Sequence, residues 1–258
     1  MSSPLRVVRQ GAVARLVLDR PEKRNALGPE LVAALKAALR AADADEGVRV
    51  VAIEGAGKDF CSGADLSALQ AIATASAMEN LDDVDALAEL FQLPRRMSKP
   101  VVALVRGRAL AGGCGLATAC DLVLAAESAR FGYPEVRIGF VPAMVMAIVR
   151  RGVSEKRAFE LLVRGQPVTA AEAERVGLIN HVYPDDAFEA EAAAVLEDLA
   201  GQSASAVRLT KRLLYNSDGM TFDAAVRAGA DVNVVARMTD DMQAGVARFL
   251  DRARGGEG

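Results

Sequence analysis

The chain has 258 residues, 52% hydrophobic and 25% charged, an ordinary globular balance with length enough for a sizeable core in one or two domains. Its 31 Lys and Arg nearly cancel 34 Asp and Glu, for a net charge of −3, so composition offers no surface for nucleic acid. No apolar run reaches the roughly 20 residues of a membrane span. The start MSSPLRVVRQ has no apolar stretch after its charge, so no secretory signal is read and a cytoplasmic location is expected. Three cysteines (Cys61, Cys114, Cys120) sit in apolar surroundings beside a single histidine, His181. Reduced core thiols are expected, not disulfides or a zinc site.

In chain order, Leu5–Val8 and Ala12–Leu18 are β-rich runs around Gly11 and predict a hairpin. Arg20–Arg24 is a charged turn carrying Pro21. Gly28-Pro29-Glu30 predicts a helix start, and Leu31, Val32, Leu35 and Leu39 then mark one apolar face. Val50–Ile53 and Val101–Val105 lack polar alternation and predict buried parallel strands, with Leu122–Ala125 a third. Between the first two, Leu66–Arg96 reads as a long polar and helical stretch, with its acidic run Asp82–Asp85 on a solvated face or mobile loop. This order predicts a layered α/β arrangement. From about Pro142 the apolar spacing turns helical, over Met144–Val149, Glu155–Val163, Ala170–Val176, Ala187–Leu199, Ala204–Leu214, Phe222–Ala236 and Met242–Phe249. Gly177 and Gly201 are natural stops, Ile179–Val182 a short strand, and the ARGGEG tail is expected to be disordered.

The stretch with chemical promise is Arg108–Asp121, RALAGGCGLATACD, which predicts a strand, a tight turn and a helix start. Gly112 and Gly113 let backbone approach a ligand, and the first-turn amides with the helix dipole favour a developing negative oxygen. By themselves these residues read first as a packing turn where helix meets sheet. Gly55–Leu66, GAGKDFCSGADL, repeats the layout after Val50–Ile53. Two such amides from separate segments could grip one carbonyl oxygen, each donor being worth on the order of 3 kcal/mol in the barrier.

Four blocks carry a resemblance. RPEKRNAL at Arg20–Leu27, FCSGADL at Phe60–Leu66, AGGCGLATACDLVLA at Ala111–Ala125 and FGYPEVRIGFVP at Phe131–Pro142 resemble the crotonase superfamily, the enoyl-CoA hydratases and isomerases, in that family's order and over nearly the whole chain. In look the blocks are most similar to bacterial methylglutaconyl-CoA hydratases. The resemblance implies an α/β crotonase (ClpP-like) fold of repeated ββα units. Residues 1–195 would form the core and 196–258 a helical trimerisation region, in a homotrimer or dimer of trimers. It also implies oxyanion amides at Ala64 and Gly112 and a catalytic Glu135. Lys23, Arg24, Ala26, Ser62, Asp65, Leu66 and Gly113 join Ala64 and Gly112 as the substrate- and CoA-binding set. The substrate is an acyl-CoA thioester, with no other cofactor, no metal, no nucleic acid and no membrane.

One position departs from the family pattern. Hydratases carry a second glutamate three residues after the oxyanion glycine, where this chain has Gly115, which can neither accept a proton nor orient water. Hydration or dehydration of a branched acyl-CoA, with water held by other groups, is the leading expectation. Single-base Δ3-Δ2 enoyl-CoA isomerisation and low-turnover acyl-CoA binding remain as alternatives. Arg137 is available to an acyl carboxylate or to a structural ion pair. Cys61 has no evident base, and His181 and Asp121 read as structural. Gly55-Ala56-Gly57 lacks the third glycine of a dinucleotide fingerprint.

Overall fold

Apolar runs without polar alternation assemble the central sheet. The computed structural model describes residues 3–64, 70 and 74–255, so the expected site residues Asp65 and Leu66 lie outside the described residues. Strands β1 (Leu5–Gln10) and β2 (Val13–Leu18) form the predicted antiparallel hairpin. Strands β3 (Val50–Gly55) and β4 (Val101–Val105) follow. Next come β5 (Arg108–Leu110), β6 (Leu122–Ala126), β7 (Arg130–Gly132), β8 (Val168–Thr169) and β9 (His181–Tyr183). One sheet runs β1-β2-β3-β4-β6-β9, parallel from β2 onward, and a smaller one runs β5-β7-β8.

Alternation along β3 and β4 sends residues to two separate cores, as the two-residue repeat of a strand requires. Val51, Ile53, Val101 and Ala103 face a core with Leu31, Leu35 and Leu39 of helix α1 (Pro29–Ala44). Val50, Ala52, Val102 and Leu104 face Phe188, Ala192 and Leu196. Both faces are therefore dry, which is why these strands read as unbroken apolar runs.

Helix α2 (Ala77–Arg96) opens on a reciprocal cap between Ser76 and Glu79 and exposes Asp82, Asp83 and Asp85. Helix α3 (Gly112–Ala119) starts at the glycine pair. Then come α4 (Ala143–Gly152), α5 (Glu155–Arg164), α6 (Ala170–Arg175), α7 (Phe188–Gly201), α8 (Ala204–Asn216), α9 (Phe222–Arg237) and α10 (Asp240–Gly255). Three details differ from expectation. The boundary at 195/196 falls inside α7, whose apolar face seals the sheet, so this helix belongs to the core. The expected disordered tail is helical as far as Gly255. Strand β8, two residues long, is too short to leave a periodic signal.

Asp121 anchors the helical C-terminal part to the sheet. Its Oδ2 accepts from Val101 N–H (2.7 Å) and Lys211 Nζ (2.6 Å), and its Oδ1 from the Tyr215 hydroxyl (2.6 Å). Lys211 is buried, and its Nζ also donates to the Lys99 carbonyl (2.7 Å). Burial lowers the Lys211 pKa, against the pull of Asp121. Asp121→Ala strands that ammonium and is expected to lower the unfolding free energy by about 3–5 kcal/mol, measured by urea denaturation. In a double-mutant cycle, Asp121→Ala with Lys211→Met should lose clearly less than the sum of the two single losses.

Candidate active site

Two strand ends lie side by side. Phe60 N–H donates to the Arg106 carbonyl (2.9 Å), Cys61 N–H to Arg108 (3.0 Å) and Leu110 N–H back to Cys61 (3.0 Å). The start of α3 presses on this pair so closely that a β-carbon at Gly113 would stand 2.3 Å from the Cys61 carbonyl oxygen. Gly113 is buried, and its missing side chain admits the neighbouring Cys61 backbone.

The orientation of both candidate oxyanion amides follows from their neighbours. Gly63, at φ +94°, gives its carbonyl to Leu27 N–H at 2.7 Å. Because a trans peptide holds C=O and N–H in opposite directions, the Ala64 N–H is turned away from Leu27. Ala111 sits at φ 50°, ψ −128°, a conformation that costs a residue with a β-carbon of order 1–3 kcal/mol. Its N–H donates to Gly132 (2.8 Å) and its carbonyl accepts from Gly115 N–H (3.0 Å). That aims Gly112, first residue of α3, with its N–H free of any intrahelical acceptor. A β-carbon on Gly63 would lie 3.4 Å from Gly112 N, so the two segments converge. Among the described residues neither the Ala64 nor the Gly112 N–H donates to backbone.

Glu135 lies in the short 3-10 turn Pro134–Ile138 that follows β7. Its Oε2 is buried with no hydrogen-bond partner, and burial raises its pKa above the ordinary carboxylate value. The backbone just before it packs on α3, with Gly132 accepting from Ala111 N–H (2.8 Å) and Tyr133 reaching Thr118, so the turn that carries Glu135 leaves from beside the helix that starts at Gly112. Tyr133 is fully buried, its hydroxyl 3.0 Å from Thr118 Oγ1. The cysteines are buried thiols, with desolvation pushing Cys61 and Cys114 up to about 12, so Cys61 is no nucleophile at neutral pH.

The surroundings of position 115 are apolar, where a second carboxylate would have to enter. A β-carbon on Gly115 would meet Val145 Cγ1 at 2.5 Å and Phe91 Cζ at 3.1 Å. The same Phe91 Cζ lies 3.9 Å from a β-carbon position at Gly112. Position 115 is therefore filled by its neighbours and holds no vacant carboxylate slot.

The Lys23–Arg24 turn is exposed, with Arg24 at φ 51°. Ser62 N–H donates to the Arg24 carbonyl (3.0 Å), while Ala26 is buried with its carbonyl taken by Arg20 Nη1 (3.1 Å). Arg137 is exposed and makes no ion pair among the described residues. Sequence reasoning missed Asn25, which is buried at φ 54°. Its side chain accepts from Arg20 N–H (3.0 Å) and donates to the Ala56 (2.9 Å) and Asp59 (2.8 Å) carbonyls. The signal was an asparagine in a charged turn, the residue that best tolerates a left-handed backbone. Also missed was Asp59, which takes both the N–H (3.0 Å) and the guanidinium of Arg108 (2.8 Å) and so joins the two converging segments. The hydrogen bonds from Arg108 lower its pKa.

A family model described as enoyl-CoA hydratase/isomerase matches residues 8–255. The chain belongs to that family. A Thermus thermophilus protein provisionally described as an enoyl-CoA hydratase is 43% identical over 245 residues, covering 95% of this chain and 97% of that one. The 2,3-dehydroadipyl-CoA hydratase of Escherichia coli is 32% identical over 251 residues, 97% and 96% of the two chains. A solved enoyl-CoA hydratase structure from Mycobacterium smegmatis matches with a TM-score of 0.93 at 30% identity, covering 97% of each chain. The crotonase fold is thus shown, and the chain is an enzyme of the enoyl-CoA hydratase/isomerase family.

Two predictions follow from the site's packing and charge. Gly115→Ala gains helix propensity worth up to about 1 kcal/mol but overpacks the wall by about 1–3 kcal/mol. A net loss of stability is expected in denaturant melts, and Val145→Ala in the same chain should relieve it. For Glu135 the folded pKa is raised, so the folded chain binds its proton more tightly than the unfolded chain does, and stability falls as pH rises from the ordinary carboxylate value through the raised one. Glu135→Gln should therefore be the more stable protein at neutral pH, with the advantage vanishing in acid below about pH 4, as thermal melts across pH will read.

Proposed function

We propose that this enzyme adds or removes water across the C2–C3 bond of a 2-enoyl-CoA, with Glu135 as its single acid–base and the Ala64 and Gly112 amides on the thioester oxygen. The observation that carries the reading is the buried, partnerless Oε2 of Glu135 beside the helix whose first amide is Gly112. In the hydration direction, the carboxylate takes a proton from water as the water oxygen bonds to C3. The alkene electrons move onto the thioester oxygen, where two backbone N–H groups hold the enolate. The same carboxyl then returns the proton to C2. Water and proton therefore add to one face, because one group serves both steps. An elevated pKa suits a group that must give back what it takes.

For the acyl part, the proposal is a branched dicarboxylic substrate of the 3-methylglutaconyl-CoA/3-hydroxy-3-methylglutaryl-CoA kind. The motif resemblance supports it, as does the name of the Escherichia coli relative, whose substrate also bears a distal carboxylate. Arg137 is the cation proposed for that carboxylate. Self-association through the helical C-terminal part is proposed as well. Phe222, Met238 and Phe249 of α9, its C-cap and α10 stand 82%, 74% and 72% exposed, far more apolar surface than one chain needs to show.

A second reading, isomerisation of a 3-enoyl-CoA by Glu135 carrying a proton from C4 to C2, is favoured by the closed wall at Gly115. Mass spectrometry in H₂18O with crotonyl-CoA, 3-methylglutaconyl-CoA, 3-methylcrotonyl-CoA and 3-hexenoyl-CoA separates the two. Heavy oxygen in a hydroxyacyl product is expected. Conversion of 3-hexenoyl-CoA to the 2-enoyl isomer without it would make the isomerase reading correct. In either case Glu135→Gln should lower kcat by about 10²–10⁴-fold with substrate affinity nearly unchanged, and full activity in that variant would refute the mechanism.

A further inference from the structure

Between the last turns of α2 and α4 and one face of α8 lies a cavity of about 910 Å³. It contains none of the residues assigned above to the oxyanion, acid–base or CoA positions. Five arginines line it, Arg95, Arg96, Arg151, Arg208 and Arg212, with one acidic residue, Asp218. A chain of net charge −3 thus gathers a local excess of four positive charges around one hollow. Like charges do not cluster without a counter-charge to offset their repulsion.

The cluster is built, not merely crowded. Arg95 and Arg151 (Nε, 2.6 Å) both bind Asp218 Oδ2. The Arg95 guanidinium also lies over the Tyr215 ring at 4.1 Å, and that ring is fixed in turn by its hydroxyl bond to Asp121 (2.6 Å). Arg208, Arg212 and Tyr215 follow one another at helical spacing on one face of α8. Arg208 and Arg212 are exposed and have no hydrogen-bond or ion-pair partner among the described residues. Two guanidinium groups are therefore positioned by the framework, and two offer their full set of donors. Such planar, bidentate donors suit phosphate and carboxylate oxygens.

We propose that this cavity binds a small anion carrying two or more phosphate or carboxylate groups, at a site separate from the acyl-CoA pocket and whichever reaction that pocket performs. Inorganic pyrophosphate and citrate are the probes, each titrated by calorimetry and thermal melting against sodium chloride at matched ionic strength. Pyrophosphate, citrate or both should bind with saturation and raise Tm by about 4 °C at tenfold excess over Kd, and whichever does so names the group recognised. In Arg208→Ala/Arg212→Ala the binding should weaken at least tenfold, while turnover stays at the wild-type level and the fold is intact, both side chains being exposed. Three results would overturn the proposal. These are no saturable binding of either probe, an equal Tm rise from sodium chloride, or binding kept in that double variant and lost instead in Lys23→Ala/Arg24→Ala.

Discussion

Two stretches of backbone, Cys61–Gly63 and Leu110–Gly113, lie closer together than side chains would permit, and the site depends on that approach. Only hydrogen fits at Gly113 against the Cys61 carbonyl. Once the segments are joined, the peptide between Gly63 and Ala64 is oriented by Leu27, and the peptide between Ala111 and Gly112 by a strained Ala111. Both amides are thus held by the framework, as the proposed oxyanion role requires of fixed dipoles facing a developing charge. Asn25 and the Asp59–Arg108 pair brace the same junction from its far side. Much of the polar bonding in this half of the molecule thus serves to hold backbone still.

The carboxylates divide by how completely they are satisfied. Asp59 and Asp121 each accept three hydrogen bonds, the first from Arg108 alone and the second from Val101, Lys211 and Tyr215. They join segments distant in sequence, and every oxygen of both carboxylates accepts at least one hydrogen bond from the chain. Glu135 keeps one buried oxygen without a donor. In a folded interior such an atom is costly, and among the described residues it is the one buried side-chain nitrogen or oxygen without a partner.

What could be read in advance was whatever is local. Val50–Ile53 and Val101–Val105 show their burial on both faces by lacking alternation, and RALAGGCG spells strand, turn and helix in eight residues. Gly28-Pro29 marks the start of α1 because proline at a first helical position has no donor to lose. The hidden part is long-range. Phe91 and Val145 stand 24 residues before and 30 after Gly115, and no periodicity says that both lean on that glycine. Ala111 is equally silent, since alanine carries no preference for a positive φ, and only the surrounding bonds impose it. The end of the core was misplaced for a related reason: α7 has the spacing of its C-terminal neighbours, and only its contacts with the sheet assign it to the core.

The filled wall at Gly115 also bears on how such a site can change over generations. A single substitution that placed a carboxylate there would arrive against Val145 and Phe91 and be lost for want of stability before any gain in chemistry could be selected. The reverse order, trimming Val145 or Phe91 first, opens a void in a packed wall with no immediate return. Each step is unfavourable without the other, so a carboxylate at position 115 is hard to reach by one-at-a-time mutation. Packing around a glycine would thereby act as a ratchet, in which the neighbours Val145 and Phe91, and not the glycine itself, decide what position 115 can become.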